Sequence, residues 1–358
     1  MYRKCILNIE PYRPGKPIKE VERELGLKNC YKLASNENLL GPSKKALVSI
    51  KNSFKEINYY PDGSGYYLRN EISRRLEIPP DQILLGNGSD ELLQIIGLTF
   101  INPLDEVIVS REGFVRYQMV VDIMDGKNVF VNMKDHYYDL QAIIKSITNK
   151  TKLIFIANPN NPTGTAIYAN EMNEFIDKIP DNIVVVLDEA YYEFTDKKKF
   201  PDSLSYIRQN KKVIVLRTFS KVYGLAGLRL GYALSLPEIV KNMNKVRCPF
   251  NVNSIAEIAA ISALNDREHL KKTQNIIKEE KKFLYTELDK IGVKYLRSET
   301  NFILMYLGNT ALSIYESMLR SGIIIRPMEM YNLSEWLRVT IGTHYMNQKF
   351  IKKLKKLL

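Results

Sequence analysis

Four short runs of aliphatic and β-branched residues recur through the middle of the chain: Asp105–Ser110 (DEVIVS), Lys152–Ala157 (KLIFIA), Asn182–Leu187 (NIVVVL) and Lys212–Leu216 (KVIVL). They are continuous rather than alternating, which suits strands buried on both faces, the mark of a parallel sheet covered by helices. Amphipathic stretches such as Asn170–Ile179 lie between them and supply the covering layers. The pattern predicts an α/β fold, with a large domain whose mostly parallel central sheet lies between helices. From about Glu238 the pattern changes to long, charged, helical sequence (Glu257–Gly292), followed by short strands at Asn301–Tyr306, Ile323–Arg326 and Leu337–Ile341. That predicts a second, smaller α+β domain. The expected division is a large domain over 31–244, a small domain over 245–358, and an N-terminal arm, 1–30, joining the small domain.

The chain's 358 residues are 45% apolar and 26% charged, an ordinary globular composition with room for two or three domains. The longest nearly uncharged apolar run, Leu92–Ile101, is about half of what a membrane span needs. The N-terminus lacks the long apolar stretch of a secretory signal, so a cytoplasmic protein without a membrane partner is expected. Cys5, Cys30 and Cys248 lie far apart, and His136, His269 and His344 are not at metal-ligand spacing, so no metal is expected. The net charge of +12 is spread over scattered lysines without a zinc-finger or RNP-type motif. This favours a solvated surface, one suited to steering small anions, over nucleic-acid binding.

Ligands of open α/β sheets sit outside the carboxyl ends of the strands, and four polar clusters follow predicted strands or open predicted helices. Gly86–Glu91 (GNGSDE) precedes an apolar helical pattern: either an ordinary capped helix or a phosphate site at a helix N-terminus. Asn158–Gly164 (NPNNPTG) is a rigid turn with more asparagines than a turn requires, and Asn161 can donate to a ligand oxygen. At Leu187–Tyr191 an aliphatic run ends in carboxylates. Asp188 there either caps a loop or meets a cation, such as a protonated pyridine nitrogen. Arg217–Lys221 (RTFSK) leads into VYGLAGLRLGY. A lysine in such apolar, glycine-rich sequence is desolvated, which depresses its pKa and makes it a competent Schiff-base amine. Thr218, Ser220 and Arg229 add hydroxyls and a guanidinium suited to a phosphate monoester.

An amine nucleophile, a carboxylate for a pyridinium and a phosphate cup are what pyridoxal 5'-phosphate (PLP) asks of a protein. GNGSDE, NPNNPTG, LDEAYYEF and RTFSKVYGLAGLRLGY resemble the corresponding segments of the fold-type I aminotransferases, and the resemblance runs from near the N-terminus to about Gly342. It implies that Lys221 holds PLP covalently, that Asp188 pairs with the ring nitrogen, and that Asn161 and Tyr191 hydrogen-bond the phenolic oxygen. The phosphate falls to Gly88, to the backbone at Ser89 and Asp90, and to Thr218, Ser220 and Arg229. Phe114, in EGFVRY, fits the stacking aromatic. Tyr60, in NYYPDGSG, resembles the tyrosine that reaches the neighbouring subunit's cofactor, which implies a homodimer with shared active sites. Catalysis is thus assigned to Lys221, Asp188 and Tyr191, acting on a small-molecule amino donor and an oxo-acid acceptor.

Arg338, in WLRVTIG, matches the arginine that binds the substrate carboxylate in this superfamily. EPYRPGKPIKEVERELGL, LASNENLLGPS, RCPFNVN and GIIIRPM are similar to stretches of the histidinol-phosphate aminotransferases of histidine biosynthesis, with Tyr12 as the substrate-lid tyrosine. Arg326 and Arg338 together would grip a substrate phosphate. The implied reaction converts L-histidinol phosphate and 2-oxoglutarate to imidazole-acetol phosphate and L-glutamate. A relative acting on another small phosphorylated or aromatic substrate, or a PLP-dependent decarboxylase of a phosphorylated amino acid, shares the cofactor residues. Arg116 departs from the small or apolar residue frequent at its position, and either alters substrate choice or faces solvent.

Overall fold

The computed structural model describes residues 1–7, 9–12 and 14–358. A two-residue strand β1 (Tyr31–Lys32) precedes the central sheet. That sheet contains β2 (Ile83–Gly86), β3 (Glu106–Ser110), β4 (Lys127–Val131), β5 (Thr151–Ala157), β6 (Val184–Asp188), β7 (Val213–Thr218) and β8 (Gly231–Leu234), in the order β2-β8-β7-β6-β5-β3-β4. Only β8 runs against its neighbours; the pairs β7-β6, β6-β5, β5-β3 and β3-β4 are parallel. The four aliphatic runs are thus β3, β5, β6 and β7, neighbours at the centre of the sheet.

Because strand side chains alternate between faces, each run feeds two cores. Val107, Leu153, Phe155, Val184, Val186 and Ile214 belong to one buried cluster. Ile108, Ile154, Ile156, Val185, Leu187 and Val215 belong to the other. Burial on both faces is why these strands carry no polar alternation.

Strands β9 (Lys294–Tyr295), β10 (Phe302–Tyr306), β12 (Arg326–Pro327) and β13 (Trp336–Thr340) form an antiparallel sheet, β12-β13-β10-β9. It shares a third cluster with the helices Arg267–Lys290, Ala311–Arg320 and His344–Leu354. Between Ala311–Arg320 and β12, β11 (Ile323–Ile324) pairs in parallel with β1, and Leu33 packs into the third cluster. The sequence expected one helical stretch over 257–292. Two helices are found, Ser254–Leu264 and Arg267–Lys290, parted where the Asp266 carboxylate accepts from His269 N at 3.2 Å. The first packs Ala256, Ala259, Ala260 and Ala263 into the large sheet's core. We therefore propose that the boundary expected at residue 245 lies instead between these two helices, and that the arm extends to Leu33.

Candidate active site

Strands β5, β6 and β7 end side by side, with Asp188 in register with Ala157 and Leu216. The three motifs that follow them are thereby drawn into one crevice. A cleft of about 360 Å³ opens there, lined among others by Ser89, Asp90, Phe114, Asn161, Asp188, Tyr191, Thr218, Ser220, Lys221 and Arg229, with Tyr12, Arg326 and Arg338 also on its wall. Thirteen residues expected from sequence therefore share one cavity. Gly88 and Tyr60 do not line it.

Lys221 follows β7 by three residues, and its Nζ donates to the Ser35 carbonyl at 3.3 Å. The residue is half-buried on the cleft wall. Burial, reinforced by Arg338 and Arg229 and opposed by Glu37 and Asp90, pushes its pKa down to about 8. Asp188, 6% exposed, closes β6. Its Oδ2 accepts from Tyr117 Oη at 2.9 Å and its Oδ1 from Ala190 N at 3.1 Å. Burial raises it to about 6, against those two hydrogen bonds. A buried carboxylate with a raised pKa is relieved by a cation, so its place on the cleft wall fits a protonated ring nitrogen.

The helix Ser89–Phe100 points its N-terminus at the same cleft, with Asp90 and Glu91 in its first turn. Gly88 sits before it at φ +78, and a Cβ there would lie 2.4 Å from Arg229 Nη2. Gly88 thus leaves the space in which the guanidinium lies. Arg229, itself at φ +56, places Nη1 3.5 Å from Ser220 Oγ. Thr218 Oγ1 accepts from Ser220 N at 3.1 Å and fixes the turn leading to Lys221. Helix amides, hydroxyls and a guanidinium around a glycine-bounded space fit a phosphate monoester.

Phe114 borders the cleft with its ring edge-on to Tyr117, centroids 5.7 Å apart. Tyr191 is buried; its Oη accepts from Asn36 Nδ2 at 2.9 Å, and burial pushes its pKa up to about 12. Asn161 Oδ1 accepts from Arg338 Nη1, which leaves the Asn161 amide nitrogen to donate elsewhere.

Arg338, 5% exposed, also donates Nη2 to the Ala34 carbonyl at 2.8 Å, while its buried Nε makes no hydrogen bond among the described residues. Arg326 stands directly opposite it across β12 and β13, with its guanidinium 5.9 Å from the centre of the Tyr12 ring. Like charges directly opposite in a sheet repel. Arg338 is accordingly held below the usual arginine range, chiefly by burial and in part by Arg326. Such a pair suits an anionic ligand between the two guanidiniums.

Tyr60 is 83% exposed and stacks on Phe250 at 4.8 Å, outside its own chain's cleft. Arg116 neither lines the cleft nor points freely into solvent: its Nε lies 3.4 Å from Asp90 Oδ1. Sequence reasoning missed Asn36 and Tyr117, which hold Tyr191 and Asp188. Tyr117 closes the EGFVRY segment, three residues after Phe114, and its ring stacks on Phe155 at 4.9 Å. Asn36 lies in the polar SNEN run at φ +55, a conformation that asparagine tolerates. Among the described residues, no helix is long and apolar enough to cross a membrane, and no cluster of three or more His, Cys, Asp or Glu could hold a metal.

The sequence profile of the class I and II aminotransferases matches residues 28–354. The chain belongs to that family, and it is a PLP-dependent aminotransferase acting between an amino donor and an oxo acid. Its relatives narrow the family further. It is 43% identical to histidinol-phosphate aminotransferase 2 of Carboxydothermus hydrogenoformans, over 100% of this chain and 99% of that one. It is equally similar to the histidinol-phosphate aminotransferase of Caldicellulosiruptor saccharolyticus, over the whole of both. The crystal structure of histidinol-phosphate aminotransferase from Sinorhizobium meliloti in complex with pyridoxal-5'-phosphate superposes with a TM-score of 0.91 at 28% identity, covering 99% of this chain and 97% of that one.

Proposed function

We propose that the chain is a histidinol-phosphate aminotransferase, exchanging an amino group between L-histidinol phosphate and 2-oxoglutarate. The observation that carries this reading is the pair of buried guanidiniums, Arg326 opposite Arg338, beside Tyr12 on the cleft wall. Two adjacent forks match the dianionic phosphate of one substrate and the carboxylates of the other.

When bound, PLP supplies an aldehyde that condenses with amines and a protonated ring that accepts electrons released at the substrate α-carbon. Lys221 would hold it covalently and, as a neutral amine, would take the proton from the substrate α-carbon. An amine with a pKa near 8 is well matched to that task near neutral pH. Asp188, steadied by Tyr117, keeps a proton on the ring nitrogen. Tyr191 and the Asn161 amide would donate toward the phenolic oxygen, and Phe114 would supply the aromatic face against the ring. The helix N-terminus at Ser89 and Asp90, with Thr218, Ser220 and Arg229, holds the phosphate. Arg338 meets the substrate carboxylate while its bond to Asn161 fixes which face of that amide donates.

The chain works as a homodimer. Phe54, Ile57, Tyr59, Tyr60, Tyr66, Tyr67 and Phe250 are exposed, with Tyr60 stacked on Phe250 and Tyr66 edge-on to Tyr67; a second copy would cover such apolar side chains, with Tyr60 reaching the partner's cofactor. The unpaired Cys5, Cys30 and Cys248 fit a reducing compartment, and we place the protein in the cytoplasm.

A half-reaction screen of the PLP-loaded protein tests the substrate. Histidinol phosphate and glutamate should each convert the bound cofactor to its amine form without releasing CO₂, with phenylalanine slower. Rapid CO₂ release from phosphoserine, with histidinol phosphate inert, would overturn the reading in favour of a decarboxylase.

A further inference from the structure

The carboxylate of Asp90 shares a helix end with the space assigned to the cofactor phosphate. Asp90 is the second residue of the helix Ser89–Phe100 and lines the cleft beside Ser89. Its Oδ1 is buried and makes no hydrogen bond among the described residues. Its Oδ2 lies 3.8 Å from Arg229 Nη2, within the reach of the guanidinium assigned to the phosphate. Uncompensated, this carboxylate would repel a phosphate dianion and compete with it for Arg229.

Arg116 is placed to prevent both effects. It opens the helix Arg116–Ile123, which lies close against Ser89–Phe100: a Cβ at Gly97 would stand 2.5 Å from Val120 Cγ1. That approach brings Arg116 Nε to 3.4 Å from Asp90 Oδ1, on the opposite carboxylate oxygen from Arg229. Its Nη1 rests 3.7 Å from Met119 Sδ, one helical turn on. A fifth of the Arg116 side chain and nearly half of that of Asp90 are open to solvent, so water screens the pair in part.

We propose that Arg116 is a positioning residue for the cofactor phosphate: by neutralising Asp90 it leaves Arg229 free to bind the phosphate monoester. The proposal rests on the assignment of this helix end as the phosphate cradle. Arg116 touches neither substrate nor cofactor; it acts through Asp90. A small or apolar residue at this position would leave Asp90 to Arg229 alone, so the arginine changes how the cradle is charged rather than which substrate enters.

The test uses full-length protein stripped of cofactor and titrated separately with PLP and with pyridoxal, which lacks the phosphate, following the absorbance of bound ligand. Arg116→Met keeps an unbranched, helix-compatible stem. Its Kd for PLP should rise about tenfold, the scale of losing one charge-assisted partner, while its Kd for pyridoxal changes less than about twofold on the same scale. Adding Asp90→Asn removes the charge that Arg116 offsets and should restore PLP affinity to within about threefold of the parent. An unchanged Kd for PLP, an equal loss for both ligands, or no recovery with Asp90→Asn overturns the proposal. If Arg116→Met does not fold, Arg116→Lys and Arg116→Gln replace it. Lys should retain PLP affinity and Gln should lose it, and equal affinities overturn the proposal. A parent protein that does not discriminate PLP from pyridoxal would instead remove the cradle assignment itself.

Discussion

Asp188 illustrates a residue whose cost to the fold is its value to the site. Burial raises its pKa from 3.8 to about 6, so the folded protein holds this proton more tightly than the unfolded chain does. The group's favourable contribution is complete below pH 3.8 and is lost as pH rises through about 6. Above that, the carboxylate is charged and buried, and a cation is needed to offset it. Asp188→Asn should therefore make the cofactor-free protein more stable at pH 7, by about 1–3 kcal/mol. The gain should shrink toward pH 4, while turnover of the loaded enzyme falls about 10²–10³-fold. Thermal melts across pH 4–8 check the first part; a variant less stable than the parent at pH 7 would contradict it. Asp188 was legible in the sequence because a carboxylate ending an aliphatic run is conspicuous. Tyr117 and Asn36 were not: each matters through one hydrogen bond to a residue 71 or 155 positions away, made only when the chain folds.

At the scale of elements, legibility followed burial. Strands β3, β5, β6 and β7, covered on both faces, were found within one or two residues of their expected ends. The short strands β2 and β8, ILLG and GYAL, were not picked out: four residues including a glycine carry too little pattern. The helix Ser254–Leu264 was merged with its neighbour because Asn265–Asp266 is a brief interruption between two helical patterns. The Gly88 turn shows how strictly an element end is specified. Gly88→Ala would force a side chain into φ +78, costing about 1–2 kcal/mol, and drive its Cβ against the Arg229 guanidinium. The expected outcome is a modest fall in melting temperature with a PLP Kd raised about tenfold or more. A variant that binds PLP like the parent would show that Arg229 is not held by this turn.

The whole molecule sets what a single chain leaves unexplained. Tyr60 is far more exposed than a site residue should be, and a sequence cannot display a partner's cleft. The proposed sharing of active sites makes a specific prediction. Tyr60→Ala would lack the residue proposed to be lent, and Lys221→Ala lacks its own lysine, so each alone should turn over poorly. In a mixed dimer, the site on the Tyr60→Ala chain keeps its lysine and receives an intact Tyr60 from its partner. Unfolding and refolding the two together should thus restore activity that neither shows alone, in a species of twice 41.4 kDa by sedimentation. No recovery on mixing would mean that Tyr60 serves its own chain.

The proposed chemistry turns on the amine of Lys221. Borohydride reduction of the PLP-loaded protein, followed by digestion and mass spectrometry, tests its role most directly. A single phosphopyridoxyl adduct on the peptide containing Lys221, absent from Lys221→Ala, is the predicted result. An adduct on another lysine, or the same adduct in Lys221→Ala, would contradict the account.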